Sequence, residues 1–188
     1  MSEKSNSKSS AGKRRGLSLS PPVKFVLWFV LALAVLGLTY AHITATYHDH
    51  LKGLMTFTAF VCNGVTSVFS GDTFRTGAIC SYKGFSVEIV DECTGLLEMV
   101  IYCAAVLAFG TTIRNKVLGL LFGVPAIFVF NILRIIVLLL AGAYSRELFD
   151  FMHLYFWQAT LIIMIAAVWI GWLYLVVFRE KKSVAVPS

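Results

Sequence analysis

The chain has 188 residues, of which 58% are apolar, 14% aromatic and only 14% charged, with a mean hydropathy of +0.80. That composition is too oily for an ordinary soluble domain and reads as an integral membrane protein. The net charge of +6 does not point to nucleic acid, because the sixteen Lys and Arg residues are scattered along the chain and not gathered on one soluble face. The four cysteines and four histidines show no C-x-x-C pair and no zinc-type spacing; the sequence therefore encodes no metal site, no cofactor and no thioredoxin-like redox motif.

Residues 1–22 are rich in Ser, Lys and Arg, hold almost nothing that packs, and read as a disordered basic tail. Val23 to Ala41 is an uninterrupted apolar stretch, longer than a signal-peptide core and preceded by an unusually long tail, so it is expected to stay as an uncleaved anchor. Leu54 to Phe69 mixes Thr56, Thr58, Asn63, Thr66 and Ser67 with an apolar stripe at Phe57, Val61, Val65 and Val68. This spacing predicts an amphipathic helix in the membrane interface or packed on the bundle. Phe85, Val87 and Ile89 alternate with Ser86, Glu88 and Val90, a weak strand signal leading into Cys93. Further apolar spans are expected over Cys93 to Gly110, Val117 to about Gly142, and Leu154 to Phe178, each long enough for a hydrocarbon core of roughly 30 Å.

Charge orients these spans. If Leu54 to Phe69 does not cross, one side receives Lys4, Lys8, Lys13, Arg14, Arg15, Lys24, Arg114, Lys116, Arg179, Lys181 and Lys182 of the sixteen basic residues. By the positive-inside rule that side is the cytoplasm and holds both termini. The expected architecture is an all-α polytopic bundle of about four spanning helices plus one amphipathic or interfacial helix. It forms one unit over residues 23–178, with an extracytoplasmic segment over 42–92 and a cytoplasmic tail over 179–188. The outward side carries most acidic residues: Asp49, Asp72, Glu88, Asp91, Glu92, Glu147 and Asp150.

Three chemically distinct residues then share one depth. Cys93 opens an inward-running helix at the outer surface, where the positive end of the macrodipole favours thiolate while Asp91 and Glu92 oppose it. Arg134 lies seventeen residues after Val117, a climb of about 26 Å, and is embedded in the apolar run "FNILRIIVLLL". An arginine there costs on the order of 3 kcal/mol on insertion scales, which favours a functional role over snorkelling. Asn131 precedes it by three residues and shares its face. His153 opens the last helix among Tyr155, Phe156 and Trp157, a setting equally suited to an interfacial aromatic belt. Glu98 and Thr94 read as supporting or substrate-contacting residues, and Cys103 as a small buried apolar residue. His42, His48, Asp49 and His50 read as a surface loop and not a metal site. Cys62 and Cys80 face the same outward side, where an oxidising compartment would permit a disulfide.

"ECTGL" (Glu92 to Leu96), "NILRI" (Asn131 to Ile135) and "FMHLYFWQ" (Phe151 to Gln158) resemble, in that order, the cysteine, arginine and histidine motifs of the exosortase and archaeosortase transpeptidases. The resemblance covers roughly residues 85–178 and is strongest to compact members such as the exosortase H type; Thr94 stands where many relatives have serine. It implies a membrane enzyme whose partners are exported proteins with a C-terminal sorting signal: a short motif, a transmembrane helix and a basic cluster. It implies Cys93 as nucleophile, Arg134 as oxyanion stabiliser and His153 as acid and base, at the outer face of the cell (inner) membrane. The residues alone leave two other readings open: a membrane thiol:disulfide oxidoreductase using Cys62, Cys80 and Cys93, and a non-enzymatic subunit in which Arg134 and Glu98 pair with partner helices.

Overall fold

The computed structural model describes residues 20–69 and 71–179, with the side chains of His48, Asp49 and His50 outside the description. The tails expected over 1–22 and 179–188 therefore lie outside the described residues, apart from Ser20, Pro21, Pro22 and Arg179. Helix α1 (Pro21–Thr46) opens on proline, whose missing N–H costs nothing in a first turn. It has no fully buried residue, but Phe25, Phe29, Leu33, Leu36 and Tyr40 are half-buried at helical spacing. That stripe packs against α3 (Leu96–Ala108).

Helix α2 (His48–Phe69) packs on a small sheet, and here the expected face is corrected. Its buried side is Leu51, Met55, Thr58, Ala59, Cys62 and Thr66, while Phe57, Val65 and Val68 of the anticipated stripe are exposed and Val61 is only partly buried. Small side chains let the helix approach the sheet closely, and the Thr66 hydroxyl is satisfied by donating to the Cys62 carbonyl at 3.0 Å. Phe57, Val65 and Val68 are left to face outward.

The sheet comprises β1 (Thr73–Thr76), β2 (Ile79–Tyr82) and β3 (Phe85–Glu88), antiparallel in that order. Lys83 and Gly84 join β2 to β3 with φ values of 47° and 82°, the two-residue left-handed turn that matches strand twist. Only β3 had a signal in the sequence; the helical character holds, with this sheet as an addition to it.

After β3 the chain forms a 3-10 turn, Asp91–Cys93, and then passes Gly95 at φ 80° before α3 begins. Cys93 is thus not in the first turn of a helix, as the sequence led us to expect, because the left-handed residue at Gly95 separates the turn from α3. Helix α4 (Ile113–Tyr144) is 32 residues long, about 48 Å, and contains Pro125. The last helical run spans Arg146–Phe178 and so starts well before Leu154. It consists of α5 (Arg146–Phe151), a π-helical turn (Met152–Phe156), α6 (Trp157–Trp172) and a second π-helical turn (Leu173–Phe178).

Among the described residues three helices are long and apolar enough to cross a membrane: Pro21–Thr46, Ile113–Tyr144 and Arg146–Phe178. The expected fourth is shorter than anticipated, since the 13 residues of α3 rise only about 20 Å. Two cores organise the molecule. One joins α2, the sheet and the second half of α4 through Met55, Cys62, Cys80, Ile89, Ile135 and Leu139. The other lies at the opposite end around Tyr102, Ile127, Met164 and Trp172, where Tyr102 donates to the Gly119 carbonyl at 2.9 Å and Trp172 Nε1 to the Asn115 carbonyl at 2.9 Å.

Candidate active site

Where the sheet meets the helices, α1, α3, α4 and the last helical run enclose a cleft of about 410 Å³. Cys93, Arg134 and His153 all line it, together with Tyr40, Val90, Glu92, Leu97, Glu98, Gln158 and Leu161. The three residues that the sequence placed at one depth on separate segments thus open into one space.

Each is positioned by a different local device. The turn carrying Cys93 is closed by hydrogen bonds from Cys93 N to the Val90 carbonyl (2.9 Å) and from Thr94 N to the Asp91 carbonyl (3.0 Å). The fully buried Thr94 adds its hydroxyl to the same Asp91 carbonyl at 2.6 Å. Thr94 holds the turn and does not line the cleft. Asn131, 1% exposed on α4, donates its amide to the Cys93 carbonyl at 2.5 Å. Gly95 leaves room for this contact, since a Cβ there would meet Asn131 Cβ at 3.1 Å. Arg134 follows one helical turn after Asn131, so α4 carries both the anchor of the cysteine turn and the cation of the cleft.

His153 sits in the π-helical turn, an arrangement that re-aims side chains and recurs at functional sites. Its exposed ring stacks on Phe149 at 5.4 Å with only 7° between planes, and Phe149 in turn packs on Phe85 of β3 at 5.1 Å. Of the rings that suggested an interfacial belt, Tyr155 and Phe156 are exposed, whereas Trp157 is buried.

Burial pushes the Cys93 thiol above its ordinary value; a backbone hydrogen bond with Val90 and the Arg134 charge act the other way, and Glu92 and Glu98 raise it. The acidic neighbours divide. Glu92 is solvent-exposed on the cleft wall, and Asp91 faces an adjoining cavity of about 370 Å³ with Lys52 and Glu88. Glu98 is buried and lines the cleft itself. Three buried polar atoms here have no hydrogen-bond partner: Glu98 Oε2, Asn131 Oδ1 and Arg134 Nε. Such groups are costly to leave unpaired, and two of the three residues, Glu98 and Arg134, line the cleft, which gives it a polar wall.

Cys62 and Cys80 do not reach this cleft. Both are free and buried against each other between α2 and β2, with a hydrogen bond between their thiols that holds the Cys62 proton more tightly than usual. Cys103 is free and half-buried on α3. Among the described residues no cluster of three or more His, Cys, Asp or Glu side chains has the geometry to hold a metal ion, and the side chains of His48, Asp49 and His50 lie outside that description.

Sequence reasoning missed Tyr40 and Gln158. Tyr40 lies seventeen residues after Val23, the same climb that placed Arg134, and Gln158 is an isolated amide in an apolar span. The amide of Gln158 was the stronger signal, since a tyrosine near the end of an apolar helix also has an interfacial explanation.

A family model described as transmembrane exosortase matches residues 16–172. Neither the curated proteins nor the solved structures give a match.

Proposed function

The chain belongs to the transmembrane exosortase family, a family of proteases and transpeptidases that act on exported proteins with C-terminal signals, and from this premise we propose that its cleft is a cysteine transpeptidase site. The observation that carries the reading is that Cys93, Arg134 and His153, from three separate segments, line one cleft together with the buried Glu98.

In the resting cleft Cys93 is held mainly as the thiol, which fits activation by a neighbouring base upon substrate binding. His153 takes the thiol proton, and the sulfur attacks the scissile carbonyl carbon. Arg134, on the cleft wall, donates from its guanidinium to the resulting oxyanion in a water-poor site, where such donors are strong. The carbon–nitrogen bond then breaks, His153 returns the proton to the leaving amine, and a thioester remains on Cys93. Water or an amine-bearing acceptor attacks that thioester, His153 accepts its proton, and the thiol is released. Asn131 keeps the nucleophile turn fixed through the Cys93 carbonyl.

The topology that serves this chemistry has α3 as a short fourth crossing, both termini in the cytoplasm, and the sheet and cleft on the extracytoplasmic side of the cell membrane. A substrate helix crossing beside the bundle would present the motif ahead of it at the level of Cys93. The oxidoreductase alternative needs Cys62 or Cys80 to exchange with Cys93, and neither lines its cleft.

The test is a co-expressed reporter ending in a sorting signal from the source genome, followed by electrophoretic shift. Cys93→Ala is expected to reduce processing by roughly a thousandfold or more, and Arg134→Lys by about 10² to 10³, the usual cost of one oxyanion donor. Full processing by Cys93→Ala ends the nucleophile assignment.

A further inference from the structure

On the sheet side of Cys93 there is a second, smaller recess of about 50 Å³, and it shares Cys93 and His153 with the main cleft. Its walls are apolar: Val87 from β3, Ile135 and Leu138 from α4, and the Phe149 ring. The one charged residue that contributes to it, Glu88, is solvent-exposed. A cavity of about 150 Å³ is needed to hold benzene, so this recess has room for a small aliphatic group and not for an aromatic ring.

Resting on the transpeptidase reading, we propose that this recess is the acyl-side specificity pocket: it receives the side chain of the substrate residue whose carbonyl Cys93 attacks, and selects a small apolar one. Direction of the chain decides which side of the scissile bond enters. The recess opens toward the sheet, whereas the main cleft continues past Leu97, Glu98 and Leu161 along the helices. A substrate whose transmembrane helix follows its motif lays its leaving half along the helices and its acyl half against the sheet. The carbonyl at Cys93 then projects its own side chain into the recess. Phe149 closes the far wall and also stacks on His153, so the residue that sets the size limit touches the acid–base group. Leu138, 6% exposed, sets the depth from α4 without a contact to that ring of the kind Phe149 makes.

The purified full chain in detergent is treated with acetyl-alanyl and acetyl-phenylalanyl chloromethyl ketones, and alkylation of Cys93 is followed by peptide mass mapping, with iodoacetamide as the size-independent measure of thiol reactivity. Normalised to iodoacetamide, the alanyl reagent is expected to label Cys93 at least about tenfold faster, the discrimination of a small apolar pocket. Phe149→Ala narrows the ratio by accelerating the phenylalanyl reagent, and Leu138→Ala narrows it with the His153 stack intact, which keeps the test decisive should the Phe149 variant not fold. Leu138→Phe slows the alanyl reagent. Equal labelling of the unaltered chain by both ketones, or a ratio indifferent to the Leu138 variants, overturns the pocket while leaving Cys93 a nucleophile. Failure of every reagent to label Cys93 in folded protein removes the nucleophile reading and the pocket with it.

Discussion

Cys93 is a thiol whose surroundings disagree about its charge. Burial, Glu92 and Glu98 favour the protonated form, and Arg134 favours thiolate. The alkylation rate of Cys93 by iodoacetamide should therefore keep rising beyond neutral pH, with a midpoint above that of an ordinary thiol near pH 8.5. Glu98→Gln removes a negative charge and should move that midpoint down; Arg134→Gln removes the opposing positive charge and should move it further up. Rates measured by mass spectrometry from pH 6 to 10 check both signs, and shifts in the reverse sense would show that the charges do not face the thiol. The residue types at this site were legible because each is anomalous in an apolar sequence: an arginine inside "NILRI", a glutamate inside "LLEMV", a cysteine after two acids. Tyr40 was not, because a tyrosine near the end of an apolar helix has an ordinary interfacial explanation.

At the scale of elements, the sheet and the last helical run are coupled through rings. Gly142 of α4 lies so close to Phe85 that a Cβ there would collide with its ring, and Phe85 carries Phe149, which carries His153. Gly142→Ala is expected to destabilise the fold by about 1–3 kcal/mol, the usual cost of overpacking, and to lower processing more than Gly171→Ala, where a Cβ meets nothing within 4 Å. Thermal unfolding in detergent together with the reporter assay measures the pair; equal activities would uncouple Gly142 from the site. The same level explains two misreadings. Helix α2 buries a face of Leu51, Met55, Ala59 and Cys62 and leaves Phe57, Val65 and Val68 exposed, because which face meets the sheet is set by contacts with β2 and α4 and not by apolarity along the helix. The start of α3 slips from Cys93 to Leu96 because Gly95 takes φ 80°, a choice that composition does not announce.

Across the whole molecule, the proposed orientation places Lys52 beside the sheet and Arg114 at the opposite end of the bundle. In intact cells a membrane-impermeant maleimide should label Lys52→Cys above the level of the unaltered chain and label Arg114→Cys only after permeabilisation; both positions are exposed, so access depends on the membrane and not on packing. The reverse pattern would invert the topology. From sequence alone came the membrane class, the long apolar helices, the polar anomalies within them and the order of motifs, because transfer of apolar and charged groups between water and lipid is a property of each segment by itself. The tertiary structure decided what depends on contacts between distant segments: the short α3, the three-stranded sheet, the face α2 buries, and the cleft that joins Tyr40, Cys93, Glu98, Arg134 and His153. Depth can be counted along one helix at a fixed rise per residue, but whether residues at one depth face each other is set by how the helices rotate and pack.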